Sequence, residues 1–147
     1  MELFMLTLKR SGLVAIGFVL SLSCSAAASH VVAVVSAQSS VMVLSQNEIV
    51  DIFLGNTRAL PNGDKAMPID QAEGSSIRDE FYAKFAGKSA AQMKAHWSRI
   101  IFTGRGHPPK EAALDGEAKK RIVDNPNAIG YLDNRMVDSS VRVLQLR

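Results

Sequence analysis

The stretch Pro68–Phe81, reading PIDQAEGSSIRDEF, decides how the rest of the chain is read. An apolar segment ends at Asp70, a polar turn follows, and Gly74-Ser75-Ser76 opens onto residues of helical composition. A helix start carries backbone N–H groups without intrahelical partners. Two hydroxyls and Arg78 in the first turn add donors and a positive charge, a combination suited to an anion such as phosphate. The same residues also fit a plain helix start. Ser76 with Asp79 three residues later has the spacing of a capping box, Asp standing for the usual Glu. On local chemistry alone both readings stay open.

Upstream, Lys9 and Arg10 precede an apolar run from Gly12 to Ser23, and Ala26-Ala27-Ala28 offers an Ala-x-Ala cleavage site before Ser29. This pattern predicts an export signal over 1–28, placing the protein in the periplasm. Two alternatives remain. The absence of Asp, Glu, Lys and Arg between Ser11 and Asn47 also suits an uncleaved inner-membrane anchor. Leu22-Ser23-Cys24 resembles a lipoprotein signal, although Ser21 stands where an apolar residue is expected. The single cysteine, Cys24, falls inside the signal, so the mature chain is expected to have neither disulfide nor thiol chemistry.

What remains, 29–147, suffices for one domain with a core and is short for two. With 17 basic and 14 acidic residues in the whole chain, the charge is only mildly positive. No Lys/Arg block with interleaved aromatics occurs, so no nucleic-acid partner is expected.

His30–Ser36 (HVVAVVS) is a β-branched run of the kind buried on both faces of a sheet. Ser45-Gln46-Asn47-Glu48 predicts a capping box ahead of Ile49, Ile52 and Phe53, with Gly55 ending the helix. Thr57–Lys65 reads as a turn-rich loop and Ala66–Asp70 as a short strand. From Ser76 a helix would align Ile77, Phe81 and Phe85, with Gly87 closing it. Ser89 caps a further helix whose inward face is Met93, Trp97, Ile100 and Ile101. Phe102–Pro109 must be a loop, because Gly104, Gly106, Pro108 and Pro109 break helices. Lys110–Asp124 is predicted helical with Leu114, Ala118, Ile122 and Val123 inward, Ala128–Leu132 a strand, and Val141–Leu144 a last strand. Strands alternating with amphipathic helices imply an α/β sheet flanked by helices, in which ligands bind at the carboxyl ends of strands.

Leu44–Gly55 (LSQNEIVDIFLG), the Gly74 turn, Ile101–Pro109 (IFTGRGHPP) and Asn125–Tyr131 (NPNAIGY), in that order, carry a family likeness. Together they resemble the substrate-binding proteins of phosphate ABC transporters, and more closely the short single-domain bacterial proteins related to them. The resemblance implies a single lobe of the periplasmic-binding-protein type 2 fold, with a mixed sheet flanked by helices. It implies a non-enzymatic role and no cofactor. It also implies phosphate or a similar oxyanion as ligand, with an ABC permease or a second protein chain as partner. In that family a Gly-Ser-Gly-Thr-Arg-Asp-x-Phe turn holds the phosphate, with an arginine four residues before the serine. Here Gly74, Ser75, Arg78, Asp79 and Phe81 match. Ser76 replaces the second glycine, Ile77 the threonine, and Gln71 stands where the upstream arginine would lie. The implied anion ligands are therefore Gly74, Ser75, Ser76, Arg78 and Gln71. A non-transport interaction or assembly module that keeps the fold, dimeric and without tight anion binding, is the alternative.

Other chemistry-bearing residues carry less. His96 is expected at the surface or its boundary, His107 and Arg105 in a loop where either would suit an anion, and Asp70 and Glu73 as solvated turn residues. Trp97 and Tyr131 read as core aromatics. No Ser/His/Asp order, Cys/His pair or HExxH motif supplies a nucleophile or a metal site.

Overall fold

The computed structural model describes residues 30–147; the export signal predicted over 1–28 lies outside them. A five-stranded mixed sheet organises the chain in the order β4 (Lys110–Ala112), β3 (Met67–Gln71), β5 (Ala128–Asp133), β1 (Val31–Ser36), β6 (Val141–Val143). β1 runs antiparallel to β5 on one side and to β6 on the other. β3 is parallel to both β5 and β4. A second, two-stranded parallel pair joins β2 (Val43–Leu44) to β7 (Gln145–Leu146).

The period-2 alternation of strands divides the core between the two faces. Val31, Ala33, Val35, Ile129 and Tyr131 face α1 (Gln46–Phe53), α2 (Ser76–Phe81) and α3 (Ala90–Phe102). Val34, Ile69, Ala128 and Leu132 face α4 (Asp115–Val123), which contributes Ala118 and Ile122. Both faces are covered, which is why β1 reads as a nearly continuous β-branched run.

Gly130 lies against Ile122 of α4. A methyl group there would overlap Ile122 Cδ1 and lie 3.0 Å from its Cγ1, so glycine at 130 leaves room for the Ile122 side chain as it packs. On the other face Phe81 stacks on Tyr131, centroids 4.0 Å apart, and meets Phe53 edge-on at 4.8 Å.

The predicted caps at Ser45 and Ser89 are both full capping boxes, closed by Glu48 and Gln92. Other expectations are corrected. Ser75, not Ser76, is the N-cap of α2, and its side chain makes no capping bond, so the Ser76–Asp79 box does not form. After Phe81 the helix widens into a π-helical turn, Tyr82–Ala86, which brings Tyr82 inward together with Phe81 and Phe85. Gly87 then ends it in the left-handed conformation, φ 62°. Lys110–Ala112 is an edge strand rather than helix, since Pro108 and Pro109 hold the chain extended on entry and β3 offers a free edge. Leu114, predicted inward, is the N-cap of α4 and 73% exposed. Ile101 is also exposed, because the buried stripe of α3 is only as wide as Met93, Trp97 and the half-buried Ile100. The β2–β7 pair carries too few residues to leave a periodic signal.

Candidate functional site

β3 ends at Gln71, and the turn to α2 lies at the carboxyl end of the parallel strands, where α/β sheets bind ligands. Gly74 adopts φ 87°, a left-handed conformation that glycine accepts without strain. Gly74 and Ser76 are exposed and Ser75 half-buried. With no side chain capping α2, the N–H groups of its first turn keep their donor capacity.

Arg78, on α2, is buried. Its side chain is 8% exposed, and Nε donates to Asp70 Oδ2 at 3.3 Å. Asp70, read from sequence as a solvated turn residue, is instead 1% exposed, because β3 alternation directs it into the aromatic face of the core opposite Ile69. Its Oδ2 also accepts from the Tyr82 hydroxyl at 2.8 Å. Oδ1 accepts from the Gln71 N–H at 2.9 Å and from the Tyr131 hydroxyl. A buried carboxylate is thereby paired and fully hydrogen-bonded, the condition under which such burial is tolerated. Burial, then the negative charge of Asp70, pushes both tyrosine hydroxyls far up, so each stays a proton donor. Desolvation pulls Arg78 down, but the charge of Asp70 and the hydrogen bond to it act the other way and the net direction is up. Among the described residues its Nη groups have no hydrogen-bond partner.

Gln71 is buried behind the turn. Its Nε2 donates to the Tyr131 carbonyl at 3.1 Å and its Oε1 accepts from Ser75 Oγ at 3.4 Å. The structure thus brings Gly74, Ser75, Ser76, Arg78 and Gln71 into one neighbourhood, with Gln71 supporting Ser75 from below rather than lining open space. Glu73 is exposed and pairs with Lys94 at 3.4 Å. Sequence reasoning missed the Asp70–Tyr82–Tyr131 triad. No sequence signal was available for it: Asp70 stands near the end of a short strand and pairs across to Glu111, as a solvated carboxylate could.

His107 and Arg105 lie elsewhere. Two cavities of about 410 and 430 Å³ open by the amino ends of β3 and β4, the opposite end of the sheet from Gly74. The first is walled by Ile52, Met67, Pro68, Trp97 and Pro109. The second is lined by Arg58, His96, Arg99, Arg105 and His107. Gly55, Arg58, Trp97 and His107 border both. His96 is half-buried, its Nε2 3.0 Å from the Leu54 carbonyl.

This mixed α/β fold is shared with solved receptors of phosphate ABC transporters over a little under half of their length. The chain is similar in structure to a protein assigned as a phosphate ABC transporter substrate-binding protein, from Clostridium perfringens, solved with bound phosphate. The TM-score is 0.63 at 21% identity, over 80% of this chain and 44% of that one. An ABC-type phosphate transport receptor from Vibrio cholerae gives a TM-score of 0.63 at 17% identity, over 80% and 46%. PstS from Borrelia burgdorferi gives 0.55 at 12%, over 80% and 47%. The chain therefore spans a little under half the length of these receptors. No protein-family model matches it, and no curated protein does.

Proposed function

We propose that this protein is an exported, non-enzymatic solute-binding protein of the phosphate-receptor type, taking phosphate or a similar oxyanion at the Gly74–Arg78 turn. The observation that carries the reading is the turn itself: an uncapped helix start at the carboxyl end of β3, with Arg78 held by Asp70 and its Nη groups without a hydrogen-bond partner among the described residues. The receptor-like fold, including that of a phosphate-bound protein, supports it. Ser75, Ser76 and the first-turn N–H groups would hold the oxyanion, with Gln71 orienting Ser75 and Asp70 keeping Arg78 in place. A single lobe leaves such a ligand half solvated, so binding is weak until a second chain, an ABC permease or another protein, covers it. No helix among the described residues is long and apolar enough to cross a membrane. The chain belongs in the periplasm, with any membrane attachment confined to an uncleaved 1–28 segment.

Calorimetric titration of the mature chain with phosphate, sulfate and molybdate tests this. Millimolar-range binding that Arg78→Ala weakens at least tenfold supports it; absence of heat and of thermal stabilisation at millimolar ligand overturns it. The Asp70–Arg78 pair, which already satisfies one edge of the guanidinium, favours a second reading, an assembly module that keeps the fold without its solute. A silent titration together with a stable homodimer in light scattering would establish that one instead.

A further inference from the structure

The cavities beside Trp97 collect positive charge with nothing to balance it. Arg58, Arg99 and Arg105 line the second cavity, Lys65 and Lys110 the first, and no residue lining either is acidic. Arginines near helix ends commonly serve the last carbonyls, and α1 and α3 both terminate here. Most of those carbonyls are already taken. Asn56 and Thr57 N–H groups donate to Asp51 O, and Gly55 N–H to Ile52 O. Thr103, Gly104 and Arg105 N–H groups donate to Arg99, Ile101 and Ile100 O, and His96 serves Leu54 O. Among the described residues the side chains of Arg58, Arg99 and Arg105 make no hydrogen bond or ion pair.

The two cavities meet at one aromatic wall. Trp97 borders both and is 6% exposed; its indole Nε1 is closed off from solvent, without a hydrogen-bond partner among the described residues, so the ring offers the cavities carbon. The ring reaches this position because residue 55 is glycine: a Cβ there would lie 3.1 Å from Trp97 Cη2. A cationic cavity thus adjoins a mainly apolar one, joined across Trp97, Arg58 and His107.

We propose that this paired cavity binds a small organic anion, its oxyanion head among Arg58, Arg99 and Arg105 and its apolar body against Trp97, Met67 and Pro68. An arginine fork matches a phosphate, sulfate or carboxylate head in two-point geometry, and the first cavity has the volume and walls for a short hydrocarbon or a ring. The site lies at the amino ends of β3 and β4 and is independent of the Gly74 turn.

Trp97 is the only tryptophan of the chain, so its fluorescence reports on this cavity. The test titrates the mature protein with butyl phosphate, following Trp97 emission and heat, against butanol and inorganic phosphate as controls. The expected result is saturation by butyl phosphate at least tenfold tighter than by either control. Arg58→Gln combined with Arg105→Gln, both exposed positions, should weaken it tenfold or more, while Arg78→Ala leaves it unchanged. Neither heat nor emission change at millimolar butyl phosphate would overturn the proposal. So would equal saturation by butanol, or undiminished affinity in the double arginine variant.

Discussion

Asp70 accepts from Arg78 Nε, two tyrosine hydroxyls and one backbone N–H, and both of its oxygens are buried. An amide in its place would keep the shape but remove the charge that pairs Arg78, and would present an NH₂ to donors that need acceptors. Removing one partner of a buried pair typically costs about 3–5 kcal/mol. Asp70→Asn is therefore expected to lower stability by about that amount in urea unfolding; a loss under ~1 kcal/mol would show that the pair is not needed to hold Arg78. The residue makes the local logic plain. A turn that reads as an open anion cradle stands on an internal anion, and no pattern of spacing announces it, because Asp70 sits where either a turn carboxylate or a core residue would look the same.

At the scale of elements, legibility followed periodicity. β1 and β5, the caps at Ser45 and Ser89, and the inward residues Met93, Trp97, Ala118 and Ile122 could be read from the chain, because burial repeats with the geometry of strand or helix. β4 could not: three residues paired at an edge carry no period, and the following helix lent them its composition. The π-helical turn is likewise silent in sequence, since Ile77, Phe81 and Phe85 fit an α-helical stripe and only Tyr82 departs from it. Where α4 crosses β5 the packing makes a sharp demand. Gly130→Ala forces the buried Ile122 off its rotamer and should cost about 1–3 kcal/mol. Ile122→Val removes Cδ1, so in that background the glycine substitution should cost clearly less. Additive losses in a double-mutant cycle would mean the two residues do not meet.

For the whole molecule, several carboxylates are held below their usual range. For Glu48 the Ser45 backbone N–H is the main cause, and for Glu117 that of Ala113. Arg135 holds Asp133 low, and Lys119 does the same for Asp138. Each folded-state value is depressed, so each adds stability above the unfolded carboxylate range of about 4 and loses it as pH falls through the folded value. The urea midpoint should accordingly be flat near neutrality and fall between about pH 5 and pH 3. A midpoint at pH 3 equal to that at pH 6 would contradict the network. Asp138 is exposed and Glu48 and Glu117 half-buried, so their individual effects are small.

The strand order has a kinetic side. β1 lies between β5 and β6, so the first strand described meets its neighbours only after nearly the whole chain is available. Arg142 reaches back to Ala37 O across 105 residues. Closing such long loops is entropically costly before any contact rewards it, and folds dominated by distant pairings assemble slowly. During that interval Val31–Ser36, an apolar β-branched segment, stays without its partners and is open to pairing with other chains. A segment of this kind gains from folding after delivery, with the full chain present at once, and from a helper that shields it until β5 and β6 arrive.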